Sequence, residues 1–243
     1  MGKSVWHIAA TRVFTEIFEA VWDWAKEKLT TEEINKLLLA TENVGISVWH
    51  ISGTRVFPEI FETLWDWAKE KLTTEEINNK LLLATDNKGR AIWHIVATHV
   101  YPEIFETVWD WAKEKLTTEE INNKFLLTTD NKGRTIWHVA AKWGKSEILQ
   151  TIWELAKQIL TTEDLCNKWF LATDNTGRTV WHAALKRHSF LLWKLYEWAE
   201  EAKLTEEICN KLFLATDSKG KTVWQVAAEQ RILMILGRLQ SRN

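Results

Sequence analysis

Proline and cysteine each occur only twice in 243 residues. With no Cys-x-x-Cys pair and no Asn-x-Ser/Thr sequon, the chain reads neither as a secreted disulfide scaffold nor as a zinc site. Long apolar runs are missing. Stretches such as Leu81 to Ala84 span a few residues, against the roughly 20 needed to cross a bilayer, and the N-terminus lacks the apolar run of a secretory signal. Trp6 stands where a myristoylation motif needs Ser or Thr. These absences lead to the expectation of a cytoplasmic protein with no membrane partner. Charge of one sign is also scarce. Lys and Arg number 31 against 33 Asp and Glu, a net charge of −2, so no global pull toward nucleic acid is expected. Gly-x-Ser-x-Gly, the P-loop, His-Glu-x-x-His and the dinucleotide fingerprint are all absent. The expectation is a protein that is not an enzyme and takes no cofactor or metal.

What is present is tryptophan, 17 residues of it, and it is periodic. Trp-His recurs at Trp6, Trp49, Trp93, Trp137 and Trp181, with Trp224-Gln225 as a sixth member, at spacings of 43 or 44. A glycine stands four residues before each of these tryptophans, at Gly2, Gly45, Gly89, Gly133, Gly177 and Gly220. The 44-residue blocks beginning at Trp49 and Trp93 differ at only eight positions, so one structural unit has been duplicated. The chain is expected to be a single array with units at 1–41, 42–85, 86–129, 130–173, 174–216 and a truncated 217–243.

Within the unit 130–173, Asp130-Asn131-Lys132-Gly133 is a turn signal, with glycine supplying a positive φ. Ile136, Val139 and Ala140 then show helical spacing in a short first helix. A second helix over 147–160 carries Ile148, Ile152, Leu155 and Ile159 on one stripe. Thr161-Thr162-Glu163-Asp164 reads as the capped start of a third, short helix, and its counterpart Thr117 to Glu120 has the capping-box spacing.

The string Asp130-x-x-Gly133-x-Thr135-x-Trp137-His138-x-Ala140-Ala141-x-x-Gly144-x-x-Glu147-Ile148-Leu149 resembles the ankyrin repeat, with Trp137 where that family usually has Leu and Ile136 where it has Pro. Asp174 to His182 and Asp217 to Thr222 repeat the pattern, and weaker forms cover the rest of the chain. The second glycine, Gly144, is replaced by Val13, Val56, Val100, His188 and Arg231 elsewhere. Each unit also exceeds the family's 33 residues by about 11, the surplus falling in the third helix. Armadillo and HEAT units have similar lengths but lack the Asp-x-x-Gly-x-Thr turn. The resemblance implies an all-α, ankyrin-like solenoid of six stacked helical units with an extra short helix per unit.

Bland explanations are expected for most repeated residues. The pairs Trp22/Trp24, Trp65/Trp67 and Trp109/Trp111 could form an aromatic ladder. Residues i and i+2 lie about 200° apart on a helix, however, so each pair is expected to fill core on two sides. The histidines His7, His50, His94, His138 and His182 could suggest metal, but helices stacked about 8–10 Å apart cannot bring neighbouring rings onto one ion. In ankyrin units this histidine bonds to the turn. Cys166 and Cys209, one repeat apart, are expected to be free thiols for the same reason of spacing.

By the same resemblance, the turn tips and the exposed end of the first helix would line a concave protein-binding face. The residues placed there are Arg12, Arg55, Lys88, Arg90, His99, Lys132, Arg134, Lys142, Trp143, Arg178, Lys186 and Arg187, joined by Lys3, Lys219 and Lys221. Thirteen Lys and Arg in these positions face six acids (Glu42, Asp86, Asp130, Asp174, Asp217 and Glu229), a local balance of +7 in a chain of −2. Arg90, Arg134 and Arg178 are expected to be equivalent exposed charges that matter to binding and little to stability. The expected function is a non-catalytic protein–protein interaction scaffold holding an acidic partner on this face; nucleic acid is the lesser reading of the same charge. The alternative is a structural spacer or an assembly segment, with self-association through an N-terminal end whose residues match interior ones and a C-terminus that finishes in polar residues.

Overall fold

The computed structural model describes residues 4–11, 15–54, 58–98, 102–185 and 190–229. These are almost wholly helical, and among them the only strand-like pairings are the isolated bridges Thr41 to Ser47 and Thr216 to Thr222. The chain divides into two compact units, 1–117 and 118–243.

In the first unit, repeat one forms helices Val5–Thr11, Thr15–Lys28 and Thr31–Leu38. Repeat two forms Val48–Ser52 and Pro58–Lys71, and repeat three begins with Ile92–Val96 and Pro102–Lys115. First helices pack on the next repeat's first helix and second helices on second helices. The Trp-His tryptophan drives into the seam between the first two helices of its own repeat. Trp6 meets Phe18 at 6.2 Å and Trp22 at 5.6 Å, and Trp49 meets Phe61 and Trp65, both at 6.3 Å, all in edge-to-face geometry.

The second tryptophan of each pair faces the preceding repeat. Trp67 packs on Trp22 and donates its indole N–H to Asn35 Oδ1 at 3.0 Å; Trp111 packs on Trp65 and donates to Asn78 Oδ1 at 3.3 Å. Trp24, in the first repeat of this sequence, is 51% exposed, a correction to the expectation that both members of every pair are core.

The second unit repeats the plan with Ile136–Trp143 and Ser146–Ile159, then Val180–Leu185, Phe190–Glu201 and Glu206–Leu214, and last Val223–Glu229. Its first helices again pack in series. Trp153, Trp169 and Phe170, all fully buried, form an aromatic cluster with Trp137 and Trp198.

The third helix holds a feature that helical periodicity does not foresee. After a single α-helical turn opening at Thr74, Thr118 or Thr162, the backbone widens into π-helix over Ile77–Leu82, Ile121–Leu126 and Leu165–Phe170. In repeats one and five the same element is ordinary α-helix. The cause is one residue. From the threonine cap to the acidic residue of the next turn the chain runs twelve residues in those two repeats (Thr30 to Glu42, Thr205 to Asp217) and thirteen in the other three. A single insertion into a helix fixed at both ends is absorbed as a π-type turn.

Local hydrogen bonding changes with it. Trp49, which follows an α-helical third element, donates its indole N–H to Leu38 O at 3.1 Å, whereas the buried indole nitrogens of Trp137 and Trp181, which follow π-helices, have no acceptor. Asn122 Oδ1 is likewise without a donor; its counterparts Asn35 and Asn78 receive indoles, and the residue matching Trp111 in repeat four is Leu155.

Candidate protein-binding face

The turns are built around their acidic residue. Asp86 Oδ1 accepts from the Lys88 and Arg90 amides, both at 2.9 Å, and Oδ2 receives Nε and Nη2 of Arg90. Asp130 is held in the same way by Lys132 and Arg134. Burial pushes both carboxyls up, but the guanidinium fork and the two amides together outweigh it and hold them below the ordinary aspartate value. The carboxylates are nearly inaccessible, at 3% and 1%, under arginines at 29% and 16%. These two arginines are therefore parts of their own turns, which corrects the expectation that they are free surface charges.

Gly133 adopts φ +69°, and a Cβ there would also approach the Asn175 backbone nitrogen to 2.8 Å, because the next turn sits directly on it. Asn175 donates its amide to Lys132 O at 2.9 Å and its side chain to Asn131 O at 3.1 Å.

The histidines tie each turn to the next. His50 Nε2 bonds Arg90 O at 3.1 Å, His138 Nε2 bonds Arg178 O at 3.1 Å, and His182 Nε2 bonds Lys221 O at 3.2 Å. A carbonyl accepts only, so Nε2 carries the proton. Nδ1 then accepts, taking the Ser47 amide in His50 and the Thr179 amide in His182. Burial pushes His50, His138 and His182 below the ordinary imidazole value, in keeping with rings that are neutral in this tautomer. Both nitrogens are engaged in turn-building bonds, and among the described residues no cluster of three or more His, Cys, Asp or Glu could hold a metal. Cys166 is buried, Cys209 half-buried, and neither forms a disulfide; burial pushes the Cys166 thiol up.

Of the residues assigned to the face, Lys88 and Lys132 are exposed, and Arg90, Arg134, Lys142 and Arg178 are half-buried. Trp143 is 47% exposed at the end of its helix, where Gly144 at φ +69° forms the left-handed cap. Arg12, Arg55, His99, Lys186 and Arg187 lie outside the described residues. Lys88 and Arg90 belong to the first unit. In the second unit the structure brings Lys132, Arg134, Lys142 and Arg178 together around one open cleft of about 410 Å³, floored by His138 and His182. The sequence placed Asp174 among the acids of this face, and it lines the cleft; Asn175 and Thr176, which the sequence did not assign to the face, line it too. The signal available was Thr176 itself, standing where three other turns have Lys88, Lys132 and Lys219.

Among the described residues no helix is long and apolar enough to cross a membrane. No family model matches the chain, and no curated protein matches it.

Proposed function

We propose that the chain is an ankyrin-like solenoid of elongated units and a non-catalytic scaffold, binding an acidic segment of a partner protein on the basic face formed by its turns. The observation that carries this reading is the cleft in the second unit, lined by Lys132, Lys142 and Arg178 beside one carboxylate, Asp174, with Arg134 held by its own Asp130. Its walls are preformed, because each turn is hydrogen-bonded to the next and fixed from below by a neutral histidine. A rigid, positively charged concavity favours an extended anionic segment through both steering and complementarity.

Reversing Lys88, Lys132 and Lys219 to Glu, all exposed and without an ion pair among the described residues, is expected to abolish affinity capture of the partner while leaving the melting temperature within a few degrees. Capture of the same protein by the reversed chain at low salt would reject the reading.

A second reading, assembly through the N-terminal end, is supported by a different observation. Val5, Ile8, Ile17 and Trp24 are 52%, 42%, 43% and 51% exposed, while their counterparts in the second repeat, Val48, Ile51 and Ile60, are 0%, 7% and 2% exposed and Trp67 is half-buried. Among the described residues the second repeat covers these positions wholly or in part, so the first repeat presents an apolar face able to receive a second copy of the chain. Sedimentation over a concentration series is expected to show dimers that Trp24→Glu dissociates; a chain that stays monomeric at high concentration would reject this second reading.

A further inference from the structure

We propose that Arg178 anchors a carboxylate-binding cleft between the turns of repeats four and five, and that an acidic partner inserts a Glu or Asp side chain there. This rests on the acidic-partner reading and gives it a specific point of attachment.

Three turns carry arginine at the same position, but they do not use it alike. Arg90 and Arg134 are consumed by bidentate forks to Asp86 and Asp130 within their own turns. Arg178 makes no such fork. Thr176 replaces the lysine of the other two turns, and its amide and hydroxyl bond Asp174 Oδ1 at 2.8 and 2.6 Å, with the Arg178 amide at 3.1 Å. The nearest carboxylate to the Arg178 guanidinium is that of Asp217, 3.8 Å from Nε. That is an ion-pair distance and too long for a hydrogen bond. Oδ1 of Asp217 is meanwhile occupied by the Lys219 and Lys221 amides at 2.9 and 3.1 Å. The guanidinium, 35% exposed, thus lines the cleft with its N–H groups unspent among the described residues.

The surroundings select the class of ligand. Lys132 on the rim is exposed and makes no ion pair among the described residues, so it adds a point charge to the planar donor of Arg178. A carboxylate matches a guanidinium edge with two parallel hydrogen bonds. Asp174 in the lining and Asp217 close behind Arg178 are two fixed negative charges, which tolerate a singly charged guest better than a doubly charged phosphate. A volume of about 410 Å³ lies toward the small end of ligand pockets and suits one side chain entering from a segment laid across the turns. The neutral histidine floor adds no charge of its own, since its N–H groups are already given to the Arg178 and Lys221 carbonyls.

The test uses the full chain and a fluorescein-labelled Glu-rich peptide, followed by anisotropy at low salt. Arg178→Ala is expected to weaken binding roughly tenfold, the loss of one charge-assisted pair, with Arg178→Lys intermediate, Lys36→Ala, on the exposed side of a third helix away from the turns, nearly neutral and the melting temperature of Arg178→Ala unchanged. If every basic substitution weakens binding by the same small factor, the face binds diffusely: the anchoring cleft is overturned while the acidic-partner reading survives. If wild-type chain does not bind the peptide at all, the acidic-partner reading itself fails. A peptide with phosphoserine in place of Glu that binds more tightly, and does so through Arg178, would overturn the carboxylate assignment.

Discussion

Replacing Arg134 with Ala is expected to lower stability by about 3 kcal/mol, while the same change at Arg178, one repeat on, costs no more than about 1 kcal/mol. The sequence treats the two positions as identical and the structure does not. Arg134, 16% exposed, closes a fork over an Asp130 side chain that is 1% exposed. Its removal leaves a buried carboxylate that only the Lys132 and Arg134 amides still serve, which places the cost at the lower end for a broken buried pair. At Arg178 the lost ion pair is 3.8 Å long and the side chain 35% exposed, so screening removes most of its value. Thermal unfolding separates the cases, with an expected fall of roughly 10 °C for Arg134→Ala and little change for Arg178→Ala. The sign with pH is also set. Because the Asp130 carboxyl is held below its ordinary value, its contribution is complete above the unfolded pKa and is lost as pH falls through the folded one. The deficit of Arg134→Ala relative to wild type is therefore expected to shrink in acid. Equal melting temperatures for the two variants at neutral pH would contradict the division of the turn arginines into structural and free.

Much of the local architecture was legible because repetition averages out the ambiguity of any one segment. Six glycines four residues before six tryptophans locate the turns, and every one of those glycines that the structure describes has a positive φ. The threonine caps of the third helix were readable from Thr-x-x-Glu alone, and Thr30 with Glu33 and Thr73 with Glu76 form complete capping boxes. What was not legible depends on small differences between repeats. The widening of the third helix into π-helix follows from one extra residue, visible as 44 against 43 in the spacing, but hydrophobic periodicity has no template for such an insertion. The different use of Arg178 accompanies one local exception, Thr176, whose hydroxyl bonds its own aspartate where the turns of Arg90 and Arg134 have lysine. The exposure of Trp24 is not visible in its local sequence, which matches that around Trp67. Each of these is a non-local consequence of a local identity or a local exception, which a reading by pattern assigns to the repeat as a whole.

The other large effect is expected in the aromatic cluster of repeat four, where Trp153→Ala should destabilise by about 3–5 kcal/mol and Trp143→Ala by less than about 0.5 kcal/mol. Trp153 is fully buried, lies parallel to Trp198 at 5.5 Å, and contacts Trp169 at 4.7 Å and Phe170 at 6.0 Å. Truncating it removes the centre of the cluster, and neighbouring rings on separate helices cannot collapse into the void without shifting those helices. Its polar edge matters less. The indole N–H donates to Glu201 Oε2 at 2.7 Å, but Glu201 keeps Lys157 at 2.5 Å and is 48% exposed, so solvent takes over the lost bond. Trp153→Phe is accordingly expected to recover most of the stability, since it restores ring packing without the N–H. Trp143 differs in every respect that sets this cost, being 47% exposed at the end of its helix; its truncation should instead appear as weakened partner binding, an exposed aromatic being the side chain best suited to anchor an interface. Chemical denaturation measures the first effect and partner titration the second. Comparable losses of stability at Trp143 and Trp153 would show that tryptophan in this chain acts as generic filling, with no division between a buried cluster and a surface anchor.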